Sequence, residues 1–410
     1  MTSSGCCSCS GSVCGNAEYP REGSLSSPTL SCKDELREGL QGFCGLRRVG
    51  IGIIGCGNIS SAYLSAAKYF SILDVHALAD INPAIAQLRG AEFGIPAVSV
   101  RRLLADHDIE IIVNLTIPRA HVEVGLQAVA AGKHVYSEKP LGVTVAEASR
   151  LMEAAAAKGL RVGCAPDTFL GGAQQTCRKL VDEGAIGQVI AGTAFFMCPG
   201  HEEWHPNPAF FYLAGGGPVL DMGPYYITSL VNLLGPIRRV TAASSRLRSE
   251  RTIKSEPLKG SKIPVEVPTH VAGALEFTTG AIIALVLSFD VIHHGHRPIE
   301  LYGSEGSLSV PDPDIFGGQI EIATGRGSWS PVVTEHAYSD DNYRILGVAD
   351  MAHAMRSDRP HRASGELAFH VLEVMEALQL SADRGMHIAI DSRPARPAAM
   401  PASPKPGAFY

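Results

Sequence analysis

The sequence predicts an α/β protein of two parts: an N-terminal Rossmann domain with a doubly wound parallel sheet, and a C-terminal α+β domain with a largely antiparallel open sheet. Three observations predict it. From Val49 onward, short apolar runs alternate with helical stretches, which is the pattern of repeated β–α–β units. A glycine loop, Gly55-Cys56-Gly57, follows the first apolar run directly and opens a helix. Near residue 187 the style changes to strands joined by short Gly-containing turns, and turns of that kind build hairpins.

In chain order, strand 49–54 leads to helix 58–69, strand 74–79 to a helix after Pro83, strand 109–115 to helix 119–131, and strand 134–136 to helix 144–158; 161–164 is a further strand. The second part reads as strands 188–198, 238–247, 270–277, 281–291, 298–303 and 307–310, with Thr279-Gly280 and Ser304-Glu305-Gly306 as turns. Its helices are expected at 222–234, 344–355 and 367–383. The expected divisions are a disordered extension over 1–47, a dinucleotide-binding domain over 48–170, a substrate-binding and oligomerisation domain over 171–390, and a loose Pro/Ala-rich tail over 391–410.

Composition excludes several function classes. With 45% hydrophobic and 19% charged residues the chain is globular, and its net charge of -6 disfavours nucleic acid. No apolar run approaches the roughly 20 residues that span a bilayer. Six of the ten cysteines (Cys6, Cys7, Cys9, Cys14, Cys32 and Cys44) precede the first strand, and Cys56, Cys164, Cys177 and Cys198 are scattered. Scattered thiols point to a reducing compartment, here the cytoplasm. The Cys6–Cys14 cluster has no paired CxxC and reads as incidental thiols in a tail. The tract before Val49 has no long apolar core, so no secretory signal is expected.

The loop Gly55-Cys56-Gly57-Asn58-Ile59-Ser60 carries the chemistry of the first domain. The first glycine permits the tight turn, the second lets a pyrophosphate approach the backbone, and the helix beginning near Asn58 and Ile59 offers free N–H groups and its positive dipole end. Ser60 takes the place of the third glycine, where a small side chain serves for helix–strand packing. Asp80 ends the next strand and is placed to accept both ribose hydroxyls of an adenosine. Its charge repels a 2′-phosphate and no arginine follows at once, so NAD is expected in preference to NADP.

At Glu138-Lys139-Pro140 the chain resembles the Gfo/Idh/MocA oxidoreductases. Supporting stretches are residues 55–60, Asn114 to Pro118 with His121, residues 131–140, Gly215-Gly216-Gly217, Asp221-Met222-Gly223, and Gly303-Ser304-Glu305-Gly306. The resemblance implies that Lys139 reaches the reacting substrate oxygen, that Glu138 lies near the nicotinamide ribose, and that Thr116 and His121 flank the nicotinamide half. Where many members read Asp-x-Gly-x-His, this chain reads Asp221-Met222-Gly223-Pro224-Tyr225. The resemblance then implies tyrosine in place of histidine, with Tyr225 exchanging a proton with the substrate hydroxyl at a depressed pKa and Asp221 orienting either the substrate or Tyr225. Tyr226 is the rival, since neighbours on a helix point about 100° apart. Asp167 and Thr168, at a strand end, are expected as substrate ligands.

His201-Glu202-Glu203-Trp204-His205 matches the zinc motif HExxH, but Pro199-Gly200 before it and Pro206 and Pro208 after it argue against the helix that motif needs. No metal is expected. The segment reads as a loop, with His205 and Asn207 either binding substrate hydroxyls or solvated. His293-His294-Gly295-His296 reads as substrate-adjacent or surface.

Three functions are compatible with these residues. The first is an NAD-dependent dehydrogenase or reductase acting at a ring carbon of a sugar, sugar derivative or cyclitol. The second is an NAD-dependent glycosidase using transient oxidation, and the third a non-catalytic dinucleotide-binding regulator. Retention of Lys139 and Tyr225 favours the first. Apolar residues of both parities in Ile282-Ile283-Ala284-Leu285-Val286-Leu287 predict a sheet face buried in a homodimer or homotetramer.

Overall fold

The computed structural model describes residues 47–403, 405–407 and 409. The cysteine-rich extension, apart from its last residue, lies outside them. Strand β1 (Val49–Ile54) is buried along its whole length, as expected of a central parallel strand covered on both faces. It is followed by α1 (Asn58–Ala67), β2 (Leu73–Ala79), α2 (Pro83–Phe93) and α3 (Val100–Ala105), then β3 (Ile111–Asn114), α4 (His121–Ala130), β4 (His134–Ser137), α5 (Val145–Ala156) and β5 (Val162–Cys164). The five strands order as β2-β1-β3-β4-β5, all parallel. The order reverses at β1, so the loops after β1, β3 and β4 converge beyond the carboxyl edge, where open α/β sheets bind ligands.

After α6 (Gly172–Asp182) and β6 (Val189–Met197), α7 (Pro218–Leu234) precedes a series of strands: β7 (Ile237–Ser245), β8 (Glu250–Thr252), β9 (Lys262–Pro264), β10 (His270–Phe277), β11 (Ile282–Ser288), β12 (Ile299–Gly303), β13 (Gly306–Val310), β14 (Ile320–Thr324) and β15 (Ser330–Val332). Helices α8 (Leu346–Ser357) and α9 (Gly365–Arg384) and the short β16 (Ile388–Ala389) complete the chain. Nine strands form one sheet, β15-β14-β13-β12-β6-β11-β10-β7-β16, antiparallel except for the β6–β11 pair. Along β11 the burial alternates: Ile283, Leu285 and Leu287 are in the core, while Ile282 is 51% exposed. One face therefore packs on helices such as α9, which lies across β7, and the other face carries apolar groups outward.

Two sets of contacts cross the expected divisions. The first sheet and its helices have partners far beyond residue 170. The chain from residue 341 to 364 returns to them: the Tyr69 hydroxyl donates to Asp341, Arg356 pairs with Glu110 at 2.6 Å, and the Cys164 amide donates to the Ala363 carbonyl. The described residues of the 391–410 tail include no helix or strand, but Arg362 donates to the carbonyls of Ala398, Ala399 and Phe409, the Gln175 side chain accepts from the Met400 amide, and Phe409 stacks on His353 with 1% exposure. Side-chain donors satisfy an irregular backbone there, a pairing that composition does not reveal. No described helix is long and apolar enough to cross a membrane.

Candidate active site

The first glycine of the loop is dictated by backbone shape. Gly55 has φ +101, and a Cβ there would stand 2.5 Å from the Leu115 carbonyl. A Cβ on Gly57 would meet nothing within 4 Å, so the space above the loop is open. Helices α2, α3 and α5 are capped by the side chains of Asn82, Ser99 and Thr144, whereas α1, entered through Asn58 and Ile59, has no side-chain cap. Its first amides are free for an anion. Ser60 is buried and its hydroxyl donates to the Gly57 carbonyl at 2.6 Å. Asp80 accepts from the amides of Cys56 and Asn82, both at 2.8 Å, one on each carboxylate oxygen. Its orientation is thus fixed while further lone pairs stay available. An open glycine turn, an uncapped helix start and a fixed carboxylate together fit NAD. Arg89 of α2, which the sequence order hid, reaches back to the Gly57 carbonyl at 3.4 Å.

The loops after β3 and β4 are tied to each other. Asn114 accepts from the Thr116 hydroxyl at 2.7 Å and donates to the His121 carbonyl at 2.9 Å. His121 was expected beside the nicotinamide. It is instead fully buried, its ring nitrogens 2.7 Å from the Pro140 carbonyl and 2.9 Å from the Thr116 carbonyl. It holds the two loops in register, and burial lowers its pKa. Glu138 is gripped on both oxygens, by the Tyr63 hydroxyl of α1 at 2.7 Å and by the Lys139 amide at 2.9 Å.

Lys139 and Asp221 belong to different sheets' neighbourhoods and meet in the cleft. Gly217 enters α7 at φ +93, turning the chain so that Asp221 sits in the helix's first turn. The Lys139 ammonium donates to the Asp221 carboxylate at 2.9 Å and to its backbone carbonyl at 2.7 Å, and lies 4.9 Å from the centre of the Tyr225 ring. Burial pulls the lysine down, but Asp221, by charge and hydrogen bond, together with Tyr225 and Glu138 outweighs it and holds Lys139 well above an ordinary lysine. Asp221 answers in kind: burial pushes it up, and Lys139 and His201 pull it further down, so it stays anionic. The expected depression of the Tyr225 pKa is not found. Burial raises it, and the lowering by Lys139 and Arg344 does not compensate. The phenol is a proton donor at neutral pH. Tyr226 is 1% exposed and turns into the core, its ring edge-on to Phe196.

Asp167 and Thr168 are both 1% exposed and do not open onto the cleft. One Asp167 oxygen accepts from the amides of Ile345 at 3.0 Å and Gly347 at 2.9 Å, which ties the loop after β5 to the start of α8. That role replaces the expected one of substrate ligand, and burial raises its pKa to about 6. His205 is half-buried, its Nδ1 accepting from the Asn207 amide at 3.1 Å, and Asn207 is exposed. The 201–205 segment forms turns rather than the helix of a zinc site. The residues His293, His294 and His296 are exposed.

Three further residues join the site. Arg344 lies 3.4 Å from the Tyr225 hydroxyl and pairs with Asp314 at 2.7 Å, just ahead of Ile345, whose φ of 105 marks a strained turn. His201 brings Nε2 to 3.3 Å from the second Asp221 oxygen. No local spacing announces Arg344 or Asp314, and His201 enters the sequence reading only through the HExxH match.

Residues 49–165 match the oxidoreductase family with an NAD-binding Rossmann fold, and residues 174–309 match the GFO/IDH/MocA C-terminal domain. An inositol 2-dehydrogenase from Gluconacetobacter diazotrophicus is 33% identical over 320 residues, covering 74% of this chain and 83% of that protein. A levoglucosan dehydrogenase from Pseudarthrobacter phenanthrenivorans is 26% identical over 292 residues, 64% of this chain and 73% of that one. A solved levoglucosan dehydrogenase in complex with NADH and L-sorbose shares the fold at TM-score 0.72 and 22% identity, over 85% of this chain and all of that one.

Proposed function

We propose that this chain, which belongs to the Gfo/Idh/MocA oxidoreductase family, is an NAD-dependent dehydrogenase or reductase acting at a ring carbon of a sugar, sugar derivative or cyclitol. The observation that carries the reading is the Lys139–Asp221 pair, 2.9 Å apart, stacked against Tyr225 at the carboxyl edge of the NAD-binding sheet. The nicotinamide, when bound, supplies the hydride acceptor or donor. The remaining work falls to side chains. Lys139, kept cationic, stabilises negative charge growing on the substrate oxygen. Tyr225 takes the place held by histidine in many members and donates its proton to that oxygen in the reductive direction. Asp221 aims the ammonium. Arg344 and Asp314 fix the phenol from its other side.

The names of relatives support a polyhydroxy substrate: inositol, levoglucosan and a nucleotide-linked deoxyglucose. Glu138, Thr116 and His121 serve the nicotinamide half, the first by direct approach and the last by holding the loops. His205 is the one expected hydroxyl ligand that remains in reach of this cleft, on the same loop as His201. Stoichiometric NADH formation on a sugar and cyclitol panel tests the reading. A glycosidase gives product without net NADH, and a regulator gives neither.

A further inference from the structure

We propose, resting on the dehydrogenase reading above, that Trp204, His205 and Phe210 form a second sugar subsite beside the reacting ring, and that the preferred substrate carries a second pyranose unit there. The loop that holds them runs along the lip of the cleft. At one end His201 brings Nε2 to 3.3 Å from Asp221, the partner of Lys139. At the other, the Ala214 carbonyl accepts from Arg119 at 2.5 Å, in the turn that follows Thr116. The loop thus joins the acid on α7 to the loop after β3. Trp204 does not reach Asp221 itself: the His201 ring stands between them, 5.5 Å from the indole centre to centre. The platform therefore lies one ring outward from the reacting position.

Trp204 is 50% and Phe210 52% exposed, whereas Phe211 and Tyr212 beside them are buried. An aromatic ring left half in water forgoes the stabilisation of burial, and here two such rings flank one imidazole. The His205 ring lies edge to face with both, 5.2 Å from Trp204 and 5.3 Å from Phe210. Its Nδ1 accepts from the Asn207 amide at 3.1 Å, and partial burial lowers its pKa. The ring is then neutral with its proton on Nε2, and that N–H meets no acceptor among the described residues. An apolar chain needs no such donor, and a simple polyol needs no aromatic face. A pyranose presents both, C–H bonds on its ring face and hydroxyls around its edge. Sites of this kind bind through apolar walls and orient through a few placed polar groups.

The platform is held from beneath. Arg251 and Glu202 pair at 2.5 Å with side chains 1% and 5% exposed, and Arg251 also binds Asp290 and the Pro199 carbonyl. The Tyr212 hydroxyl donates to Glu202 and accepts from the His201 amide at 2.9 Å. The Ser255 hydroxyl donates to the His205 carbonyl at 2.5 Å, and the Lys254 amide to the Glu202 carbonyl at 2.8 Å. Buried charges cost desolvation, and what these fix is an otherwise irregular loop. Rings already held in place lose little freedom when a ligand arrives.

The test has two arms. In the first, the chain, whose two tryptophans are Trp204 and Trp329, is labelled with fluorotryptophan and loaded with NADH, so that no oxidation proceeds. It is titrated by ¹⁹F NMR with glucose, myo-inositol, cellobiose and maltose. The Trp204 signal, identified by its loss in Trp204→Phe, should shift with a disaccharide at about tenfold lower concentration than with glucose, while the Trp329 signal stays in place. A Trp204 signal that no disaccharide moves, or that glucose moves equally well, overturns the proposal. So does one that moves with protein concentration alone, which would put a second copy of the chain on the platform. In the second arm, kcat and KM are measured from NADH formation on the same sugars. Trp204→Ala should lower kcat/KM for the disaccharide by about tenfold, mainly through KM, and bring its ratio to the monosaccharide toward one. Phe210→Ala should act in the same sense, and Trp204→Phe should restore most of the ratio. An equal loss on both kinds of sugar assigns the rings to holding the loop and contradicts the subsite. Absence of NADH with every sugar and cyclitol defeats the dehydrogenase reading, and the first arm still decides the subsite.

Discussion

Tyr225 and Tyr226 are adjacent on α7 and meet different neighbours: Lys139 and Arg344 for the first, the ring of Phe196 for the second. Lys139→Ala and Tyr225→Phe should each lower turnover by about 10²–10⁴-fold while leaving NAD affinity nearly unchanged, because the proposed cofactor contacts lie in the Gly55–Ile59 turn and at Asp80. Tyr226→Phe should be mild. Steady-state kinetics alongside NAD titration checks both; a crippling Tyr226→Phe with a silent Tyr225→Phe would reverse the assignment. Asp80→Ser should weaken NAD and relax discrimination against NADP, the more so because Arg89 stands at the same loop. A wild type that already prefers NADPH contradicts the ribose role of Asp80. At this scale the sequence brings forward residues that the structure places together: the glycine turn with Asp80, and Lys139 with Asp221 and Tyr225. It is silent on Arg344 and Asp314, because each is brought in by long-range folding with no fixed spacing to any motif, and it shows His201 only within the HExxH match, without its nearness to Asp221. It misleads on the pKa of Tyr225, since adjacency to a lysine suggests a depressed value and only three-dimensional burial reveals the larger opposing effect.

Elements were read well where periodicity is strong. The five parallel strands and the β10–β11 hairpin fall where alternation and turn residues put them. Short elements such as α3, β8, β9 and β15 carry too little pattern to announce themselves. Asp167 shows how a strand-end acid is misread. Its position suggests a ligand, yet its carboxylate joins β5 to α8 through backbone amides about 180 residues away in sequence, a partnership no local pattern encodes. That junction has a pH signature. Its folded pKa is raised from 3.8 to about 6, so between those values the native state holds more protons than the unfolded chain. Stability from this group falls as pH rises through that window, by at most about 1.4 kcal/mol per unit. Asp167→Asn keeps an acceptor for both amides and should flatten the slope. Urea unfolding on either side of the window checks it, and an unchanged slope would show that Asp167 does not titrate there.

For the whole molecule, the nine-stranded sheet leaves an outward face on which Ile282 is 51% exposed. Apolar groups on an open sheet face favour burial against a second copy of the chain. Light scattering at micromolar concentration should give a dimer or tetramer, and Ile282→Lys should shift it toward monomer. A monomeric wild type would count against self-association through this face. The two-part plan was visible in the change of pattern near residue 187. The return of residues 341–364 to the first sheet and the docking of the C-terminal tail were not, because both depend on arginine-to-carbonyl contacts between distant segments. The central claim joins these scales: one cleft between two sheets, with NAD on one side and a polyhydroxy ring on the other, meeting at Lys139. Its most direct test is NADH formation at 340 nm from NAD and a panel of sugars and cyclitols, with Lys139→Ala in parallel. The account predicts one NADH per substrate molecule oxidised, for at least one compound, and its near-complete loss in the variant. Product without net NADH, or wild-type rates in Lys139→Ala, would contradict it.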